Sequence, residues 1–146
     1  VNPRNYNRNI SMEKADAIVS IAGPLMNFTL AIILSLIYCA IYKFANITFL
    51  ATTTGRIIIT LLSTAIFTNI GLGVFNLIPL PPLDGSKVIR PFLSFNAKQW
   101  FQNNEHIFYI IFIVIWITGI AGNIISPIIN LIGNGILKLS FMIFGL

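Results

Sequence analysis

Long apolar runs separated by short polar segments set the pattern of this chain. Residues 17–42 and 57–78 contain no charged side chain. Each run exceeds the roughly 20 apolar residues that a helix needs to cross a bilayer. A third run covers 107–125, where Pro127 is expected to stop it, and a fourth covers 128–146 with Lys138 as its only charge. The segment 1–16 is polar, rich in Asn and Arg and without apolar period, and reads as loop. Ser11 within it is a candidate N-cap for the first helix. Residues 43–56 form a polar connection, and 79–105 a proline-rich loop followed by an interfacial segment in which Trp100 and Phe101 suit a membrane boundary. The pattern predicts an all-α, polytopic membrane helical bundle of three to four hydrophobic helices in a single membrane domain, 1–146. Whether 128–146 crosses the bilayer is not set by the pattern.

Within the first span, Gly23-Pro24 predicts a kink or a freed carbonyl, which a membrane protein tolerates where protein or a cavity covers the gap. Gly71 and Gly73, near the end of the second, permit close helix approach or local unwinding.

Composition turns this pattern into a class. Hydrophobic residues make up 56% of the chain and charged residues 9%, against about 25% charged in soluble domains; mean hydropathy is +0.87. The net charge of +5 resides in the short polar segments, as membrane flanks require. No basic stripe interleaved with aromatics is present, so the expected partner is the lipid bilayer and not nucleic acid. If two spans separate 1–16 from 79–105, one side carries Arg4, Arg8, Lys14, Lys87, Arg90 and Lys98, and the other Lys43 and Arg56. That bias predicts a multi-pass protein of the cell membrane with the 79–105 side cytoplasmic. Cys39 is the only cysteine; it makes no internal disulfide and reads as a small buried apolar side chain. The high Ile and Asn content suggests a bacterial, AT-rich source. The chain opens on Val1 and a polar stretch without a signal-type apolar core, which predicts a fragment whose N-terminal part is missing.

Candidate chemistry centres on one carboxylate. Asp84 lies in Pro79-Leu80-Pro81-Pro82-Leu83-Asp84-Gly85, directly after an apolar run. An acid beside hydrocarbon is costly to ionise, so it is paired, metal-bound or functional. A turn position, or an N-cap for a helix over 86–90, also accounts for it. As a metal ligand it would join a catalytic zinc site of three protein ligands and one open position, with Gly85 letting the following backbone pass close by. The chain holds one histidine, His106, and no H-E-x-x-H; the reversed pattern would need histidine where Gln102 stands. His106 therefore reads as a polar residue at a membrane boundary, and further zinc ligands must come from elsewhere. Asn76, at the end of the second span, fits a helix C-cap or a side-chain amide donor. Ser11, Ser20, Ser63 and Ser86 have no nearby histidine for a triad, and Glu13 and Asp16 read as a solvated face.

Taken together, three stretches resemble a known family. Phe75-Asn76-Leu77-Ile78-Pro79-Leu80-Pro81-Pro82-Leu83-Asp84-Gly85-Ser86 is similar to the N-x-x-P…L-D-G signature of site-2 protease-type intramembrane zinc metalloproteases. Ile21 to Ala31, with Gly23-Pro24 and Asn27, resembles the A-G-P-x-x-N segment of their preceding core helix, and Val1 to Tyr6 the polar stretch leading into it in compact bacterial members. The resemblance implies a Zn²⁺ ion at the active site with Asp84 as one ligand. It implies that Asn76 binds substrate backbone or the oxyanion, and that Gly23, Pro24, Asn27, Pro79 and Gly85 are motif positions near the site. The substrate implied is a transmembrane or membrane-proximal protein. In the family, H-E-x-x-H supplies two ligands and the general base from an earlier helix, which this sequence lacks; the chain as given is expected to be inactive alone. The alternatives are a non-catalytic membrane scaffold or helix-binding protein of the same fold, and a transporter subunit with Asp84 on an ion path. Substrate identity and oligomeric state are not set by the sequence.

Overall fold

A computed structural model describes residues 11–146. Arg4, Arg8 and the Val1–Tyr6 stretch lie outside the described residues. The chain forms α1 (Met12–Phe44), α2 (Ile47–Ala51), α3 (Thr53–Asn76), α4 (Asp84–Ile89), a 3₁₀ turn (Arg90–Phe92), α5 (Phe95–Asn103), α6 (Glu105–Ile117) and α7 (Ile120–Phe144). No strand occurs among the described residues. α1, α3 and α7 are long and apolar enough to cross a membrane.

These three helices pack around one thin core. Ala31 of α1 and Ile66, Ile70 and Val74 of α3 are buried, with Phe28, Tyr38, Ile129 and Ile136 against them. Two glycines let aromatic rings fill the gaps between helices. A Cβ on Gly73 would lie 2.9 Å from the Phe28 ring, and one on Gly133 would lie 2.5 Å from the Phe67 ring. Lipid tails are as apolar as leucine, so such fit, and not hydrophobic exclusion, draws membrane helices together. A buried polar pair adds to it: Ser35 Oγ and Ser140 Oγ are 2.7 Å apart. Ser35 donates its one proton to the Ile32 carbonyl, so Ser140 is the donor between the two hydroxyls. Outward, the helices present exposed Ile, Leu, Met and Phe, the surface that a bilayer solvates.

Polarity places the ends. Lys43 Nζ donates to the Phe144 carbonyl, which joins the C-terminal ends of α1 and α7. Ala121, at the start of α7, lines one apolar crevice with Val74, Ile78 and Leu83. The N-terminus of α1, the C-terminus of α3 and the N-terminus of α7 therefore share the end that carries α4.

Several element bounds differ from the sequence expectation. Helix α1 starts at Met12, so 12–16 is helical; Ser11 holds the N-cap position without a side-chain capping bond. The connection 43–56 contains α2, capped by Asn46 Oδ1 accepting from Thr48 N at 3.1 Å. Thr52 Oγ1 accepts from Gly55 N at 3.0 Å and starts α3 at Thr53. The segment 79–105 is largely helical. The most consequential correction concerns 107–125 and 128–146: the break falls at Thr118–Gly119, and Pro127 lies inside α7. Gly119 adopts φ 73°, the left-handed conformation that ends helices and favours glycine. Thr118 Oγ1 donates to the Val114 carbonyl at 2.8 Å and closes the last turn of α6. With 13 residues, α6 is about 20 Å long at 1.5 Å per residue, short of the roughly 30 Å hydrocarbon core. It starts beside α5, where Phe101 and Phe108 stack with centroids 4.8 Å apart. It ends at Phe75 of α3, 5.3 Å from Trp116 between ring centroids. The segment expected to span 107–125 thus leaves and rejoins the bundle at the same end, and the crossing falls to α7.

Candidate active site

The site is built where α3 runs out. Leu77 N still donates to the Gly73 and Val74 carbonyls, each at 3.2 Å. Pro79, Pro81 and Pro82 then offer no N–H and end the helical pattern. The chain turns on Leu80 N to Ile78 O (2.8 Å) and Leu83 N to Leu80 O (2.9 Å), with the Pro81–Pro82 peptide cis. Leu83 is extended and is the N-cap of α4, so Asp84 is the first helical residue; it is not the cap of a helix over 86–90. Buried Ser86 donates from Oγ to the Leu83 carbonyl at 2.7 Å and clasps the first turn.

Gly85 closes the loop. A Cβ there would stand 2.4 Å from both the Leu77 and the Ile78 carbonyl oxygens. The residue after Asp84 thus touches the residues after Asn76. Loop 77–83 is a ring shut by backbone contact, and only a residue without a side chain can shut it this tightly.

Asp84 is half-buried and opens on a cleft of about 460 Å³ lined by Glu13, Asp16, Val19, Ser20 and Gly23 of α1, Lys87 of α4, Arg90, and Lys98, Phe101 and Gln102 of α5. Lys87 Nζ donates to Asp84 Oδ1 at 3.1 Å, the two side chains 47% and 39% exposed. At such exposure the pair contributes at most about 1 kcal/mol. Lys98 and Glu13 form a second ion pair, which ties α5 to α1 across the cleft. Three acids and three bases face one another there, which suits a wet polar cleft at a membrane boundary.

Of the sequence-predicted positions, Gly23 and Asp84 meet in this cleft. Pro24, the next residue of α1, is fully buried. Asn27 is half-buried, next to the Phe28 ring that fills the space left by Gly73. Asn76 is the last residue of α3 and half-buried; it does not line the cleft. Pro79 is exposed and Gly85 buried. His106 is exposed at the start of α6, away from the cleft lining. Glu13, Asp16 and Ser20, read from sequence as solvated or unremarkable, share the cleft with Asp84. The signal that finds them is the spacing 13, 16, 20, 23, one face of a helix, visible only if α1 is extended back to Met12.

Asp84 offers the carboxylate oxygen that zinc accepts, in a polar setting fixed by the loop behind it. Among the described residues, no group of three His, Cys, Asp or Glu comes together to hold a metal ion. Asp84 fits as one member of a ligand set.

Comparison with known proteins bears on the same residues. The model of peptidase family M50 matches residues 4–119. A curated relative from Bacillus subtilis (strain 168), named "Putative zinc metalloprotease YwhC", is 32% identical over 130 residues, covering 89% of this chain and 58% of the relative. The chain thus spans little more than half the length of that relative. No solved structure matches.

Proposed function

This chain belongs to peptidase family M50, the site-2 protease family, and on that footing we propose that it contributes Asp84 and Asn76 to the active site of an intramembrane zinc endopeptidase. The remaining zinc ligands and the general base come from outside residues 11–146, so the described residues alone do not hydrolyse peptides. The observation that carries this reading is the closed loop 77–83, which holds the carboxylate of Asp84 at a wet cleft beside the motif glycine Gly23.

When bound, zinc supplies Lewis acidity and lowers the pKa of a water molecule toward neutrality. Asp84 provides an oxygen ligand whose backbone is held by the Ser86–Leu83 clasp, while Lys87 engages Oδ1. Asn76 provides a neutral amide donor for the carbonyl or oxyanion of an unwound substrate segment. The cleft admits water near one end of the spans, and the substrate is a transmembrane or membrane-proximal protein. We place this end on the cytoplasmic side. Lys14, Lys87, Arg90 and Lys98 lie at it, and Lys43, Arg56 and Lys138 lie toward the other, the bias expected of a cytoplasmic end.

The direct test is metal removal from the full-length protein in lipid. Chelation is expected to stop cleavage of a membrane-inserted substrate, and stoichiometric zinc to restore it. Cleavage that persists without zinc, or a full-length protein that neither binds zinc nor cleaves, overturns the proposal; the latter leaves a non-catalytic scaffold. Separately, Asn76→Ala is expected to lower turnover by roughly 10²-fold, as loss of an oxyanion donor does, with zinc still bound. Loss of zinc in that variant assigns Asn76 a structural role.

A further inference from the structure

The two oxygens of the Asp84 carboxylate stand in different circumstances. Oδ1 accepts from Lys87 Nζ at 3.1 Å. Among the described residues, no hydrogen bond or ion pair reaches Oδ2. The other cations of the cleft are not partners of Asp84. Lys98 is paired with Glu13 of α1, and Arg90 makes no ion pair among the described residues. Lys87 and Asp84 both belong to α4, three residues apart. Side chains at that spacing are neighbours on a helix surface. The pair therefore forms within α4 itself and needs no other segment to complete it.

Asp84 is also the first residue of α4. The N–H groups of a first turn attract a carboxylate, yet among the described residues none of them donates to the Asp84 side chain. Folding back onto that turn would withdraw the carboxylate from the cleft that it lines. Lys87 lines the same cleft and holds it there.

We propose that Lys87 is a positioning residue for the metal site, holding Oδ1 so that Asp84 offers zinc Oδ2 alone; this rests on the reading of Asp84 as a zinc ligand. Loop 77–83 fixes the backbone of Asp84, but the side-chain torsions stay free until something holds the carboxylate. Ligating carboxylates are themselves hydrogen-bonded, and the partner sets their orientation. An exposed ion pair adds little to folding, so orientation is what this one contributes. It also protects the chemistry. A carboxylate that grips zinc with both oxygens crowds the position that a catalytic site keeps open for water. Engaging Oδ1 elsewhere keeps that position clear.

The test is a zinc titration of the full-length protein in lipid against a competing chelator. Lys87→Met keeps the length of the side chain and removes its charge. Its zinc affinity is expected to fall about tenfold or more, with the thermal midpoint of the metal-free protein unchanged. Lys87→Arg still donates to Oδ1 and is expected to restore the affinity. Cobalt in place of zinc reads the coordination directly. Its visible band is expected to be strong in the wild type, as in four-coordinate sites, and weaker in Lys87→Met, where both oxygens reach the metal. Unchanged affinity or an unchanged cobalt band in Lys87→Met overturns the proposal. So does a Lys87→Arg variant that binds zinc as poorly as Lys87→Met, or a lowered metal-free midpoint in Lys87→Met, which makes Lys87 a residue of the fold. If the full-length protein binds no zinc, or binds it equally well as Asp84→Ala, the ligand reading itself fails and takes this proposal with it.

Discussion

Asp84→Ala in the full-length protein is expected to abolish stoichiometric zinc binding and to cut proteolysis at least a thousandfold, about 4 kcal/mol of transition-state stabilisation. A catalytic zinc is held by three protein ligands, and alanine removes the one that Asp84 is proposed to supply. The nearest charged partner, Lys87 at 3.1 Å, is a cation. Fold stability should barely change, because the ion pair lost is substantially exposed and worth at most about 1 kcal/mol. Zinc content by elemental analysis, cleavage of a membrane-inserted substrate and the thermal midpoint together separate a lost ligand from a lost fold. Normal zinc and normal cleavage in this variant refute the ligand assignment; a collapsed midpoint transfers Asp84 to a structural role.

Gly85→Ala should do the opposite: damage the fold first and the chemistry through it. The added methyl would stand 2.4 Å from two backbone carbonyl oxygens, a distance no flexible side chain can relieve. Either α4 moves away from the end of α3 or the loop opens. Overpacking of this kind costs about 3 kcal/mol or more, read as a lower midpoint in thermal or denaturant unfolding, with zinc affinity and turnover falling alongside. Gly23→Ala is the matched control. A Cβ at that position meets nothing within 4 Å, and alanine is the better helix former by up to about 1 kcal/mol. Its stability should hold or rise. If both variants unfold alike, the closed-loop account of Gly85 fails.

The helical architecture was legible because uninterrupted apolar runs leave few alternatives in a bilayer. Helices are the only form such runs can take without a closed barrel. The proline-rich loop was legible for a similar reason, since three prolines cannot continue α3. The division of the C-terminal third was not. Pro127 is the louder signal, yet a proline one or two turns into a membrane helix is tolerated. Gly119 breaks the chain because only its backbone takes the left-handed turn cheaply. Half of the candidate site was also hidden. Asp84 and Gly23 stood out through their motifs. Ser11 as an N-cap candidate already allowed Glu13 and Asp16 into the first helix, but the basic residues beside them made them read as a solvated face; the cleft they share with Asp84, Lys87 and Lys98 depends on long-range packing of α4 and α5 against α1.

Loop 77–83, shut at both ends by backbone contact, has a mechanical consequence. Asn76 and Asp84 belong to one rigid clip at the tip of α3, and the separation between them is internal to that clip. A bilayer that thickens or thins makes its helices tilt, and α1, α3 and α7 can slide against one another to comply. The clip rides with α3 and keeps its dimensions, insulating the spacing between Asp84 and Asn76 from the elasticity of the membrane around it.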